Sequence, residues 1–197
     1  MATVRELRGD GTVNSVVLED GQSIPSEMVV AGIGVRPAAD LLANSGIEEA
    51  DGVTVNEYLE TSAPGIFAAG DVANYQDVLF QKRRRVEHWD NAVSQGQYCA
   101  RALMGERTPF KHVPYFFSDV FDLSYEFWGD TSDADHVSYR GNLNSGEFSV
   151  WWLKENRLQA AFVMRRPDQE REWATKFIQS QEPVDPKAIG DESRKLG

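Results

Sequence analysis

Cysteine and histidine are scarce in this sequence. Cys99 is the only cysteine, and three histidines occur among the 197 residues. One cysteine excludes an internal disulfide, a Cys-x-x-Cys redox pair and a cysteine-based metal cage within the chain. Proteins without disulfides are typical of a reducing compartment, so we expect a cytoplasmic location.

Long apolar runs are also missing. No apolar run approaches the roughly 18 residues that a membrane-spanning helix needs. No signal-peptide pattern precedes the first strand-like segment of the sequence. We therefore expect no association with a membrane.

Basic charge is low. The chain has 20 Lys and Arg residues against 31 Asp and Glu residues, a net charge of −11. Because binding to phosphates depends on a basic surface, this balance argues against nucleic acid as a partner. The one concentrated basic run is Lys82-Arg-Arg-Arg85. We interpret it as a solvated or ion-paired surface, with a docking patch for an acidic partner as the alternative.

The segment over residues 61–71 is the first positive signal for a binding site. It contains a turn cluster, an apolar run from Ile66 to Ala69, and then Gly70-Asp71. We predict that the apolar run forms a buried strand. At the end of such a strand, Asp71 would present its carboxylate to ligand hydroxyls, and Gly70 would allow close approach to the backbone. The alternative is an ordinary strand that ends in a turn.

Hydrophobic patterns predict the elements around this segment. Residues 3–33 are predicted to form a β-meander with strands over 4–7, 12–18 and 28–33. Pro37 suits the first turn of a short helix over 38–44.

The clearest predicted helix covers residues 87–104, with Gly105 placed to end it. One set of residues recurs at helical spacing and forms a single face of this helix. That face is rich in small residues, which suits packing against another backbone or a flat ligand. The residues of that face are Trp89, Ala92, Val93, Gly96, Cys99, Ala100 and Leu103. We interpret Cys99 as a small buried side chain rather than a reactive thiol.

From residue 114 onward the sequence predicts a small α+β module. Aromatic, strand-like segments alternate with turn signals, and an amphipathic helix follows over about residues 168–180. Pro183 and Pro186 prevent that helix from continuing.

The order of the motifs resembles one group of flavoenzymes. Gly70-Asp71 is followed by Arg83-Arg-Arg-Val-Glu-His88, by the small-residue helix, by Pro114-Tyr-Phe-Phe-Ser-Asp119 and by Tyr125-Glu126. This order is similar to that of FAD-dependent pyridine nucleotide-disulfide oxidoreductase-like flavoproteins. The group includes apoptosis-inducing factor, monodehydroascorbate reductase and bacterial ferredoxin reductases, and the resemblance extends from about residue 14 to the end.

The resemblance implies an α/β plus α+β fold, in which a partial FAD/NAD(P)-binding Rossmann-like region precedes a small C-terminal α+β domain. Residues 1–33 would be the end of an NAD(P)H-binding domain. Residues 34–110 would be the C-terminal half of an FAD-binding domain, and residues 111–197 the C-terminal reductase domain.

The glycine-rich phosphate loops of both nucleotides are absent from the sequence. Gly32-x-Gly34 is not such a loop, because it lacks the third glycine of a dinucleotide fingerprint. We therefore expect a C-terminal portion of a longer flavoenzyme, which retains FAD poorly by itself.

The resemblance also implies the cofactor-binding residues. Gly70 and Asp71 would lie at the ribityl hydroxyls of FAD. The helix start at Glu87 would point toward the pyrimidine carbonyl of the flavin, where its free N–H groups suit growing negative charge. His88 and Trp89 would lie beside the flavin and the nicotinamide.

Two aromatic-region residues complete the implied site. Phe117 would be an aromatic side chain near the nicotinamide, with packing in the core as its alternative, and Glu126 would be an acid that contacts the same region. No residue is assigned as a nucleophile or a metal ligand.

The function implied by the resemblance is oxidoreductase activity that passes electrons from NAD(P)H through FAD to a redox partner. Ser118-Asp119 is more similar to the ferredoxin reductases, whereas residues 121–130 are more similar to the ascorbate-radical enzymes. The acceptor is therefore either a ferredoxin-like protein or a small radical. The alternative from another class is a catalytically silent fragment or interaction module without the two phosphate sites.

Overall fold

The computed structural model describes residues 2–194 and 196, and the chain divides into two compact units after Arg36. The first unit is an antiparallel three-stranded sheet in which β2 lies between β1 and β3. Its strands are Val4–Gly9 (β1), Val13–Leu18 (β2) and Ser23–Pro25 (β3). The predicted meander is confirmed for its first two strands.

The third strand predicted over residues 28–33 is wrong. These residues have no strand structure, and Met28, Val30 and Ile33 are 80%, 89% and 94% exposed. A strand needs a neighbouring strand to satisfy its backbone, and no described segment of this unit pairs with the run. Residues 23–25 pair with β2 instead, because a tight turn with a Leu18 N–H···O=C Gln22 bond places them beside it.

The second unit begins with a mixed four-stranded sheet. Where a helix over 38–44 was expected, the chain forms only a single 3₁₀ turn at Asp40–Leu42. The sheet order is β4-β5-β6-β7, with β5 and β6 parallel and the other pairs antiparallel. Its strands are Glu49–Ala50 (β4), Gly52–Val55 (β5), Ala73–Asp77 (β6) and Lys82–Arg84 (β7).

The apolar run from Ile66 to Ala69 is not the buried strand that its sequence predicts. Ile66 is 47% exposed, and the run makes only an isolated bridge between Glu60 and Phe67. Its backbone bonds to the turn just before it, as when the Ala68 N–H donates to the Leu59 carbonyl at 3.1 Å. Because no strand lies beside it among the described residues, no ladder forms. Gly70-Asp71 therefore precedes a sheet strand, β6, instead of ending one.

The predicted long helix is confirmed as Trp89–Leu103 (α1), but the face that it buries against the protein differs from the small-residue face of the sequence pattern. Trp89 and Leu103 are 81% and 67% exposed. The buried residues are Asn91, Gln95, Tyr98, Cys99 and Ala102. Cys99 is buried as predicted, and burial raises the pKa of its thiol.

Two physical causes determine which face of α1 is buried. Tyr98 packs edge-on against Phe110, with ring centroids 5.5 Å apart, in the core below the four-stranded sheet. The polar Gln95 is tolerated inside because its side chain accepts a backbone hydrogen bond. A pattern that counts only apolar residues does not detect such a position.

The predicted C-terminal α+β module is confirmed. Its antiparallel sheet has the order β10-β11-β12-β9-β8. The strands are Tyr115–Val120 (β8), Leu123–Gly129 (β9), His136–Asn142 (β10), Glu147–Lys154 (β11) and Arg157–Met164 (β12). Two helices, Asp168–Ser180 (α2) and Pro186–Gly190 (α3), contribute Phe177, Ile178 and Ile189 to the core around Trp151. Within residues 2–194 and 196, no helix is both long and apolar enough to cross a membrane.

The basic run at β7 is ion-paired, as predicted. Arg84 contacts Asp77 at 2.7 Å and also pairs with Asp130, which follows β9. Lys82 lies 3.1 Å from Asp130 and 3.0 Å from Asp133. Burial alone raises the pKa of Asp130, but hydrogen bonds from Ser132 and Lys82 and the charge of Arg84 hold that pKa well below its ordinary value.

Candidate functional site

Gly70 and Asp71 form a turn against the beginning of α1. Gly70 is buried with φ of +81°, and a Cβ at this position would lie 3.4 Å from the Cβ of Ala92. The Ala73 N–H donates to the Gly70 carbonyl at 2.9 Å and closes the turn. Asp71 is exposed, so its carboxylate is available to a ligand.

Two side chains attach this turn to its surroundings. The Gly70 N–H donates to Oε1 of Gln95 at 2.8 Å, and Nη1 of Arg85 donates to the Asp71 carbonyl at 2.9 Å. The same Arg85 nitrogen also donates to Oε1 of Glu87. Arg85 therefore joins two of the predicted site residues, Asp71 and Glu87, directly.

The start of α1 is open at its backbone. His88 occupies the N-cap position with φ of −123° and ψ of 138°, and its side chain makes no capping hydrogen bond. The N–H groups of a first helical turn have no partner within the helix and carry partial positive charge. Asp90, in that turn, pairs with Nε2 of His112. Trp89 is 81% exposed and projects from the helix start.

His88 lies against the C-terminal module. Its ring centroid is 4.8 Å from that of Phe116 on β8. Burial lowers the pKa of His88, and the nearby carboxylate of Asp90 opposes this shift. The imidazole is therefore neutral at neutral pH, and its Nδ1 is buried without a hydrogen-bond partner among residues 2–194 and 196.

Phe117 and Glu126 form a second group, on the other face of the same sheet. They are directly opposed across β8 and β9, whereas Phe116 points to the face that contacts His88. Phe117 is 62% exposed. The structure brings these two residues together, but it records no contact from either to His88 or Asp71 within its described part.

The carboxylate of Glu126 is already engaged within the protein. Tyr115 donates its hydroxyl to Oε1 at 2.9 Å, and Nε of Arg171 on α2 donates to Oε2. Burial and the hydrogen bond to Glu126 raise the pKa of Tyr115 to about 12. Glu126 is thus a fixed acceptor rather than a freely moving acid.

The structure adds functional candidates that the sequence did not reveal, namely Arg85, Gln95 and the pair of Asp90 with His112. Arg85 stood inside a basic run that was interpreted as a charged surface. Gln95 stood four residues after Asn91 on a helix whose face was assigned from apolar residues alone. The sequence signal for this face is a pair of amides four residues apart on one helix. In the structure both amides are buried.

Two family models match the chain. Residues 1–96 match the pyridine nucleotide-disulphide oxidoreductase family, and residues 115–197 match the reductase C-terminal family. The chain therefore carries a pyridine nucleotide-disulphide oxidoreductase domain followed by a reductase C-terminal domain. The predicted fold class, a Rossmann-like region followed by an α+β reductase domain, is confirmed by these matches and by the observed sheets.

Individual relatives match over nearly the whole chain. Putidaredoxin reductase CamA from Pseudomonas putida is 33% identical over 93% of this chain and 43% of its own length. Monodehydroascorbate reductase 3 from Arabidopsis thaliana is 32% identical over 94% of this chain and 44% of its own length. The chain spans less than half the length of either relative.

A solved structure supports the same assignment. The ferredoxin reductase for the CYP199A2 system from Rhodopseudomonas palustris superposes with a TM-score of 0.88 at 32% identity. The match covers 98% of this chain and 48% of that chain.

Proposed function

We propose that this chain forms the C-terminal part of an FAD-dependent NAD(P)H oxidoreductase that passes electrons through FAD to a redox partner. The observation that carries the proposal is the joining of the Gly70–Asp71 turn to the start of α1 by Gln95 and Arg85. The two family matches and the share of each relative that the chain covers support it.

The residues at this turn fit the ribityl part of FAD. Gly70 has no side chain at the point where it faces Ala92, so the turn can pack closely on α1 and present Asp71 on its exposed side. Asp71 is exposed, and its carboxylate has no hydrogen-bond partner in the part of the chain that the structure describes. A free carboxylate on the exposed side of the turn is suited to accept hydrogen bonds from vicinal hydroxyls.

The start of α1 fits the pyrimidine edge of the flavin. FAD, when bound, supplies the hydride acceptance and the electron transfer. The open N–H groups after Glu87 and His88 would hold the flavin carbonyl oxygen and stabilise negative charge that grows there. The neutral His88, backed by Phe116, and the exposed Trp89 would line the same side.

Phe117 and Glu126 are proposed to contact the nicotinamide region. Phe117 is 62% exposed, which leaves its ring free to stack. Glu126 would act as a fixed acceptor, since Tyr115 and Arg171 hold it. We further propose that residues 1–33 end an NAD(P)H-binding domain, residues 34–110 complete an FAD-binding domain, and residues 111–197 form the reductase domain.

The proposed partner is a ferredoxin-type iron–sulfur protein in the cytoplasm. The names of putidaredoxin reductase and of the solved ferredoxin reductase support this class of partner. A small radical acceptor is the second candidate, because a monodehydroascorbate reductase matches this chain at nearly the same identity.

The test uses the flavin-loaded reductase that contains this chain, which we call the holo-reductase. NADH or NADPH is added without oxygen, and the visible absorbance of the flavin is followed. We expect bleaching, then faster recovery on addition of an oxidised ferredoxin-type protein than on addition of the monodehydroascorbate radical. No bleaching with either nucleotide would contradict the oxidoreductase proposal and favour a catalytically silent module.

A further inference from the structure

Gln95 is a completely buried amide in the second turn of α1. Its side chain is 0% exposed, and Oε1 accepts the Gly70 N–H at 2.8 Å across 25 positions of sequence. Burying a glutamine is unfavourable unless its polar atoms are bonded, and its Nε2 has no partner among the described residues. The bond to Gly70 is therefore the interaction that accounts for an amide at this place.

We propose that Gln95 is a positioning residue of the cofactor site, which fixes the Gly70–Asp71 turn on α1 and thereby places the Asp71 carboxylate. This inference rests on the proposed function, because Asp71 is the group that would touch FAD. Gly70 has no side chain, so only its backbone can be held. On the buried side of the turn, Gln95 provides that contact.

The other attachments of the turn act from different directions. The bond from Ala73 to the Gly70 carbonyl is internal to the turn, and Arg85 holds the Asp71 carbonyl from the exposed side. Without the Gln95 acceptor, the Gly70 N–H would be buried without a partner, which favours movement of the turn away from α1. The effect should therefore be local to residues 70–72.

The first arm of the experiment measures amide hydrogen exchange in the 197-residue chain by NMR. Gln95→Met keeps the length and helix preference of the side chain but removes the acceptor, and Gln95→Glu keeps an acceptor oxygen. Gln97→Met, on the exposed side of the same helix, is the matched control. We expect exchange at Gly70 to accelerate about 5-fold to 10-fold in Gln95→Met, with partial rescue in Gln95→Glu and no change in Gln97→Met.

Unchanged exchange at Gly70, or equal acceleration throughout the second unit, would overturn the inference. In the unsubstituted chain, NMR coupling across the hydrogen bond from the Gly70 nitrogen to the Gln95 carboxamide gives a measurement that needs no variant. Absence of that coupling would overturn the inference as well.

The second arm measures FAD affinity in the holo-reductase for Gln95→Met, Asp71→Ala and the double variant. If Gln95 acts through Asp71, each single variant weakens FAD and the double variant is no weaker than Asp71→Ala. Additive losses would overturn the positioning role. If Asp71→Ala leaves FAD affinity unchanged, the proposed function fails instead, while the exchange at Gly70 still decides the role of Gln95 in the turn.

Discussion

At the scale of single residues, Gly70 has the strictest backbone requirement in the candidate site. Its φ of +81° lies in the left-handed region, and its Cα faces Ala92 at close range. Gly96, the residue directly after Gln95 in the same helix, has neither constraint, since a Cβ there would meet no atom within 4 Å. The two glycines therefore allow a paired test of what the turn demands.

Replacement of these glycines by alanine should change stability in opposite directions. Gly70→Ala should lower the free energy of unfolding by about 1–2 kcal/mol, because a Cβ is strained at this φ. Gly96→Ala should raise it by up to about 1 kcal/mol, because alanine favours an exposed helical position. Urea denaturation of both variants measures the difference, and equal effects of one sign would contradict the assigned backbone conformation.

The residue types of the site were predictable from the sequence, but their attachments were not. Asp71 and His88 were predicted as site residues from a motif order. Gln95 and Arg85 were not, because their roles depend on contacts 25 and 14 positions away along the chain. Sequence patterns report which residue types are near one another in the chain, whereas these bonds are made by the fold.

At the scale of elements, the ion pairs of β7 join the four-stranded sheet to the C-terminal module. Arg84 and Asp77 are only 10% and 2% exposed at their side chains, and Arg84 also pairs with Asp130 after β9. Asp77 accepts further hydrogen bonds from Tyr75 and from the backbone of Leu79. This group of charges stabilises the folded state only as long as each carboxylate keeps its partner.

Loss of the Arg84 side chain should therefore be strongly destabilising. Arg84→Met would leave Asp77 buried without its cation, and we expect the free energy of unfolding to fall by about 3–5 kcal/mol. The exposed pair of Arg101 with Glu106 is the control, and Arg101→Met should cost less than about 1 kcal/mol. Thermal or urea unfolding measures both, and similar losses would show that the buried pair has no special role.

The elements that the sequence predicted correctly are those stabilised within their own segment. α1 and α2 form from local pattern, and the strands from residue 115 onward pair mainly with their neighbours in sequence, as β8 with β9 and β11 with β10 and β12, although β9 also pairs with β12. The apolar runs over 28–33 and 66–69 did not become strands, because strand formation also requires a neighbour with free backbone groups. Hydrophobicity alone carries no information about that neighbour.

At the scale of the whole molecule, the two family matches and the geometry of residues 70–89 support the proposed flavin reductase. The Gly70–Asp71 turn, Arg85, Glu87 and the open start of α1 lie together within the second unit. Phe117 and Glu126 lie on the opposite face of the C-terminal sheet from the residue that contacts His88. The proposed chemistry thus depends on the turn and the helix start more than on that second group.

The most direct test of the proposed flavin site is the FAD affinity of the holo-reductase with Asp71→Ala. We expect FAD affinity to fall about 10-fold, because bonds between hydroxyls and a carboxylate are lost. Asp122→Ala, at an exposed site in the turn between β8 and β9, should leave the affinity unchanged. Equal affinity of Asp71→Ala and the unsubstituted holo-reductase would contradict the assignment of this turn to the flavin.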